Sequence, residues 1–289
     1  MDTLHSTANI LNWGGLLLAL LVLIETIVRQ LRKENMSENW ANIGVYITGK
    51  YIRSVLLNTY KLAIYFFIWS WVPYQMPFSW WSIPLILLIA DFTYYWKHRA
   101  EHRIRLFWSF HIVHHSSEKF NLSTALRLPW LEGLIDWVFF VPALLVGVHP
   151  LAIMIAYSVV LHYQFWIHTE KIGKLGWMEK VFNTPSLHRV HHGSNPQYLD
   201  KNYAGILIIW DRIFGSYQEE IEPVRFGVTK PIETQNPLMI NFGEPIAVAK
   251  QMSEAPDWPT ALAVVYKGPE WEMPKHKTVY EPNDLIDTV

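Results

Sequence analysis

Eight of the 13 histidines fall into three short clusters whose spacing suits metal binding. His98 and His102 stand four residues apart. His111, His114 and His115 make a second cluster, and His188, His191 and His192 repeat its spacing far downstream. Residues three and four apart share one face of a helix, so each cluster can aim two or three imidazoles at one point. Neutral imidazole is the commonest metal ligand and suits iron, zinc and copper. Eight imidazoles exceed the roughly four to six ligands that one such ion takes, so two ions are the expected number. A lone histidine is ordinarily a hydrogen-bonded core or surface residue; three clusters, two of identical spacing, call for a joint explanation.

Two further residues join the candidate site. His168 ends an apolar stretch and is a ninth candidate ligand, with His162 a weaker one. Asp91 lies inside an apolar run, seven residues or about two turns before His98, on the same helical face. A carboxylate there is costly and is read as functional: a candidate catalytic-site residue that accepts a histidine N–H and orients its ring. The competing reading is a helix–helix hydrogen bond. His149 reads as an ordinary interfacial residue at a turn, and His5 and His276 as inert.

The elements that must carry these residues are apolar helices. The chain is 51% hydrophobic and 17% charged, with a mean hydropathy of +0.10, too apolar for an ordinary soluble domain. A span needs roughly 20 apolar residues. Candidates are 10–28, 55–72 and 83–96, then a hairpin over 134–167 that turns at Gly147-Val-His149-Pro150. Arg29, Arg32 and Lys33 after the first span, and Lys97, Arg99, Arg103 and Arg105 after the third, mark those ends as cytoplasmic. Lys61 interrupts the second span and must snorkel or face protein. Thr184 as N-cap and Pro185 at the first helical position start a short helix for the third cluster. The expected fold class is an all-α integral membrane protein with about four to five transmembrane helices and a cytoplasmic histidine-box cap. Its regions are an N-terminal membrane part (1–80), a catalytic domain (81–217) and a cytoplasmic, polar and Pro-rich tail (218–289).

Several chemistries are disfavoured. With no cysteine, disulfides, iron–sulfur clusters and thiolate nucleophiles are absent. A net charge of −1 implies no nucleic-acid partner. His98-Arg-Ala-Glu101-His102 also fits an inverted zinc-protease pattern with Glu101 as base, but that leaves two clusters unexplained. A bis-histidine haem would want single histidines on facing mid-membrane helices. A transporter would place its ligands near the midplane.

The H-x-x-x-H and paired H-x-x-H-H boxes resemble the fatty acid hydroxylase and sterol desaturase superfamily. HHSSEKFNLSTALR (114–127), YQFWIHTE (163–170), NTPSLHRVHHG (183–193) and DKNYAGILIIWDRIFG (200–215) resemble its alkylglycerol monooxygenase branch. The resemblance covers 91–217. It implies a membrane-bound non-haem di-iron oxygenase that uses O2 and electrons from an external donor to hydroxylate or desaturate a membrane lipid. In that branch tetrahydrobiopterin is the donor and an ether carbon is hydroxylated. A sterol or fatty acid hydroxylase or desaturase is the alternative within the superfamily.

Overall fold

A computed structural model of the chain describes the backbone of residues 2–274 and the side chains of 14–274. His5 and His276, expected to be inert, lie outside the residues whose side chains are described. The described residues form helices and two isolated antiparallel bridges, Phe182–Leu207 and Gly193–Phe226, with no extended strand.

Helix α1 (Asp2–Leu31) is the one described helix long and apolar enough to cross a bilayer unaided, over Gly14–Leu31. Leu16, Leu17, Leu20 and Leu23 on it remain exposed. Helix α2 (Ser37–Tyr51) runs through a π-helical turn (Ile52–Leu57) into α3 (Asn58–Ser70). The second expected span therefore begins inside the π turn, where the helix is wider and underwound. Lys61 faces protein: its ammonium sits 3.2 Å from both carboxylate oxygens of Asp136.

Helix α4 (Ser82–Arg103) carries the third expected span, Asp91 and the first histidine pair. At 22 residues it is about 33 Å long. It stops at Ile104, which is extended (φ −125°, ψ 120°), and α5 (Arg105–His115) begins at once in a new direction. No proline or glycine causes this break. The Arg105 N–H freed by it donates to the Lys267 carbonyl at 2.9 Å.

The expected hairpin exists with short arms. The first is a 3-10 segment (Asp136–Phe140) followed by α6 (Val141–Leu145); the second is α7 (Pro150–Phe165). At about 1.5 to 2 Å per residue neither arm spans the roughly 30 Å of a bilayer core. Gly147 makes the turn with φ +89°, and a Cβ there would lie 2.5 Å from the Tyr74 carbonyl oxygen. His149 N-caps α7, its Nδ1 accepting the Leu151 N–H, and Pro150 opens the helix. One apolar core gathers Tyr65, Ile86, Tyr94, Phe140, Leu144 and Ile153 from α3, α4, the 3-10 segment, α6 and α7.

Helix α8 (Pro185–His191) starts where its sequence indicates, with Pro185 first, but the Thr184 hydroxyl donates to Glu179 Oε1 instead of capping. Helix α9 (Ile209–Ile213) follows. The stretch read as a Pro-rich tail instead builds α10 (Pro237–Ser253) and α11 (Trp258–Tyr266). Asn236 and Asp257 N-cap them, and a proline opens each. In this position proline starts a helix, because its missing N–H is one the first turn would leave unpaired. Both helices pack on α5.

Candidate metal centre

The sharp break at Ile104 folds the end of α4 back against α5 and brings the first two histidine clusters face to face. Helix α8 presents the third, and His168 enters just beyond α7. The nine histidines divide into two groups. His98, His102, His111, His115 and His191 form one; His114, His168, His188 and His192 form the other. Within each group the ligand nitrogens lie within 4.8 Å of one another. The second and third clusters are thus each shared between the groups, which their i, i+3, i+4 spacing allows.

The hydrogen bonds fix how the rings are used. Nδ1 of His98 donates to the Tyr203 carbonyl (2.8 Å), that of His168 to Gln164 (2.7 Å), that of His191 to Lys201 (3.0 Å) and that of His114 to Arg127 (3.3 Å). A proton on Nδ1 leaves a bare lone pair on Nε2. Yet Nε2 of His168 lies 3.2 Å from Nε2 of His114. Two lone pairs so close repel unless a cation lies between them. Nε2 of His102, Nε2 of His192 and Nδ1 of His188 are buried without a partner. Burying such a nitrogen unpaired costs about 1–3 kcal/mol, so the arrangement is built to be satisfied by something else. All-imidazole donor sets, neutral and convergent, fit two transition-metal ions.

Burial keeps the imidazoles neutral. It holds His111, His115, His188, His191 and His192 well below the ordinary histidine range, with neighbouring imidazoles adding to the effect for each. His114 is pushed down to about 4, chiefly by burial. Carboxylates stand behind two rings: Glu101 lies 3.6 Å from His111 Nδ1 and Asp200 lies 3.7 Å from His102 Nδ1, too far for direct hydrogen bonds.

Asp91 does not do what its position suggests. Its carboxylate accepts the backbone N–H of Ile206 (2.7 Å), that of Leu207 (3.1 Å) and the Trp210 indole N–H (2.9 Å), with no histidine among these donors. The segment after Tyr203 packs against α4 and supplies these donors. Gly205 permits that approach, since a Cβ there would lie 2.5 Å from Val160 and 2.9 Å from Asp91. Asp211 holds the same segment through the N–H groups of Tyr203 and Ala204, each at 2.8 Å. Asp91 thus holds the loop whose Tyr203 carbonyl accepts from His98, and its own hydrogen bonds reach no histidine.

Sequence reading missed these orienting groups because they are backbone carbonyls, which any residue carries. His162 stays outside both groups, its Nδ1 donating to the Ser158 carbonyl at 2.7 Å. Glu101, the base of the protease reading, is paired with Lys97 at 2.6 Å, and His98 and His102 are shared with the other clusters.

Two cavities reach the histidines from different sides. One, of about 660 Å³, runs between α1 and α7 and ends at His111, His114 and His168. Leu18, Val22, Ile153 and Phe165 are among its apolar walls. The other, of about 1110 Å³, is lined by Arg105, Asp200, Lys230, Glu233 and Glu270 and meets His102, His115, His191 and His192.

Residues 83–216 match the fatty acid hydroxylase family model, a stretch that contains all nine histidines. Beyond that stretch the chain is similar to alkylglycerol monooxygenases. It is 42% identical to that of Xenopus tropicalis over 73% of this chain and 48% of the relative. It is 41% identical to that of Homo sapiens over 75% and 49%. An ornithine lipid hydroxylase of Rhizobium tropici is 29% identical over 52% of this chain and 46% of its own. The chain spans about half the length of these curated relatives. No solved structure matches it.

Proposed function

We propose that the protein is a membrane-bound, O2-dependent lipid monooxygenase whose two histidine groups hold two iron ions. The observation that carries this reading is the convergence of nine imidazoles in groups of five and four, with His111, His114 and His168 among them lining an apolar cavity. Similarity to alkylglycerol monooxygenases supports an alkylglycerol ether lipid as substrate; tetrahydrobiopterin as electron donor is what the resemblance of the sequence motifs to that branch implies. Overall, one lipid C–H bond, O2, two electrons and two protons give C–OH and water. On an ether carbon that hydroxylation yields a hemiacetal, which separates into an aldehyde and a glycerol.

When bound, the irons supply activation of O2; the chain does the rest. His98, His114, His168 and His191 are held by carbonyls so that each presents Nε2 to the centre. The apolar cavity walls admit a lipid chain and exclude water from the oxidising end. The polar cavity gives a water-soluble reductant a separate approach. Basic residues at the end of α4 support a topology with both groups facing the cytoplasm and the apolar cavity opening toward the bilayer. The multi-pass arrangement and the division at residues 80 and 217 belong to this proposal.

The test is turnover by purified, iron-loaded protein with a long-chain alkylglycerol, a reduced pterin and ¹⁸O2. One ¹⁸O atom in a hydroxylated lipid, or in the alcohol obtained when the aldehyde is reduced in place before its carbonyl exchanges with water, is the expected result. A product carrying only solvent oxygen would refute the monooxygenase reading.

A further inference from the structure

Arg127 is a buried cation with no carboxylate among its partners. It is 2% exposed. Its Nε donates to the Val113 carbonyl (3.0 Å) and the Ser116 hydroxyl (2.9 Å), and its Nη1 to Asn42 Oδ1 (2.9 Å). All three acceptors are neutral. The carboxylate whose field reaches it, Glu38, is engaged by the Ser117 hydroxyl and the N–H groups of Glu118 and Lys119. Burial lowers the Arg127 pKa only to about 10, so the charge persists at neutral pH. A buried charge without a counter-ion is costly, and neutral acceptors offset only part of that cost. Packing explains the hydrogen bonds; it does not explain the charge.

The residue stands against the metal centre. It follows the 3-10 turn Leu122–Leu126, which Asn121 and Thr124 cap reciprocally. Val113 and Ser116 flank His114 and His115 at the end of α5, and the Arg127 carbonyl accepts from His114 Nδ1 at 3.3 Å. One residue thus grips the last turn of α5 and a ring which that turn presents. Burial pushes the His114 ring down to about 4, and the guanidinium charge acts in the same direction. The five-histidine group has the opposite surroundings: Glu101 stands behind His111 and Asp200 behind His102. Among the described residues no carboxylate pairs with a ring of the four-histidine group.

A positive charge opposes any gain of positive charge beside it, most strongly in a dry interior. Resting on the di-iron reading above, we propose that Arg127 is a positioning residue for the four-histidine site: it holds His114 to that group, and its unmatched charge biases the ion there toward the ferrous form. His114 and His168 line the apolar cavity, so the ion at the lipid end is the one this charge keeps reduced. Glu101 and Asp200 act the other way on the five-histidine ion, whose ligands His102, His115 and His191 meet the polar cavity. The two sites are thereby unequal, the lipid end being the easier to keep reduced.

Redox titration of each site in isolation tests this. In full-length protein loaded with ferrous iron, His98→Ala/His102→Ala leaves the four-histidine ion and His168→Ala/His188→Ala leaves the other. The ferric–ferrous midpoint of each is followed by the ferric EPR signal. Three further changes are made on both backgrounds. Asn42→Asp puts a carboxylate on the guanidinium with almost no change of shape. Arg127→Lys keeps the charge but loses the planar fork. Arg127→Met removes both. Asn42→Asp and Arg127→Met are expected to raise the ferric-to-ferrous ratio of the four-histidine ion about tenfold at a fixed potential, a fall of about 59 mV in its midpoint. Arg127→Lys should hold that midpoint within about twofold in the same ratio while losing iron faster on dialysis. The five-histidine midpoint should move less than half as far. An unmoved four-histidine midpoint in Asn42→Asp would overturn the proposal, as would equal shifts at both sites or a fall in Arg127→Lys as large as in Arg127→Met. Should Arg127→Met not fold, Asn42→Asp and Arg127→Lys decide alone. Iron absent from both isolated sites would remove the di-iron reading itself.

Discussion

His114 shows how the second histidine cluster is used. It shares α5 with His111 and His115 but turns to the other group, because its Nδ1 donates to Arg127 O and its Nε2 meets His168. Each of the nine histidines should therefore be essential: replacement by Ala is expected to abolish turnover while the protein still inserts. His149→Asn is the control, because asparagine also caps a helix and the residue is remote from both groups. Turnover near wild type in any of the nine variants would remove that residue from the ligand set. Asp91→Asn has a different expected signature. Asparagine offers one acceptor oxygen where the carboxylate serves three N–H groups, so one buried donor loses its partner. A destabilisation of about 1–3 kcal/mol should follow, read as a lower Tm, with activity reduced and not restored by added iron. The histidines that converge were legible because imidazoles at helical spacing leave a pattern. Which group each serves was not, since that depends on carbonyls from residues 127, 164, 201 and 203.

At the scale of elements, the break between α4 and α5 decides whether the first two clusters meet. Its supports come from the C-terminal helices: the Lys267 carbonyl takes the Arg105 N–H, Pro269 O accepts from the Arg105 guanidinium, and Glu244 pairs with it at 2.6 Å. Glu244→Ala should cost about 1 kcal/mol, given partial exposure of both partners, and should lower metal retention. Tm and metal content after dialysis check this; unchanged values would show the break to be held without α10. Gly205→Ala should be worse, about 1–3 kcal/mol, because its Cβ would collide with Val160 and Asp91. The starts of α8, α10 and α11 were all written in local signals, a residue of capping type with proline one or two places on, yet the last two were passed over because the prolines were taken as marks of a tail. The break at Ile104 had no local signal at all, and only the long-range partners of Arg105 account for it.

For the whole molecule, apolar composition foretold a helical, membrane-suited chain, and the regular elements among the described residues are helices. The number of spans was less legible. Hydropathy counts apolar residues, whereas Pro142, Gly147 and Pro150 cut the 134–167 stretch into arms too short to cross alone. Those short arms leave room for the cavity between α1 and α7, and its length should set chain preference: Met154→Trp, on the cavity wall, is expected to shift turnover toward shorter lipids. Equal rates across chain lengths would contradict that role for the cavity. The central claim, that nine histidines hold two ions in separate groups of five and four, is tested most directly by elemental analysis of protein loaded with ferrous iron under anaerobic conditions. The account predicts about two irons per chain in wild type, and about one in either His98→Ala/His102→Ala or His168→Ala/His188→Ala. One iron or fewer in the loaded wild type would contradict it.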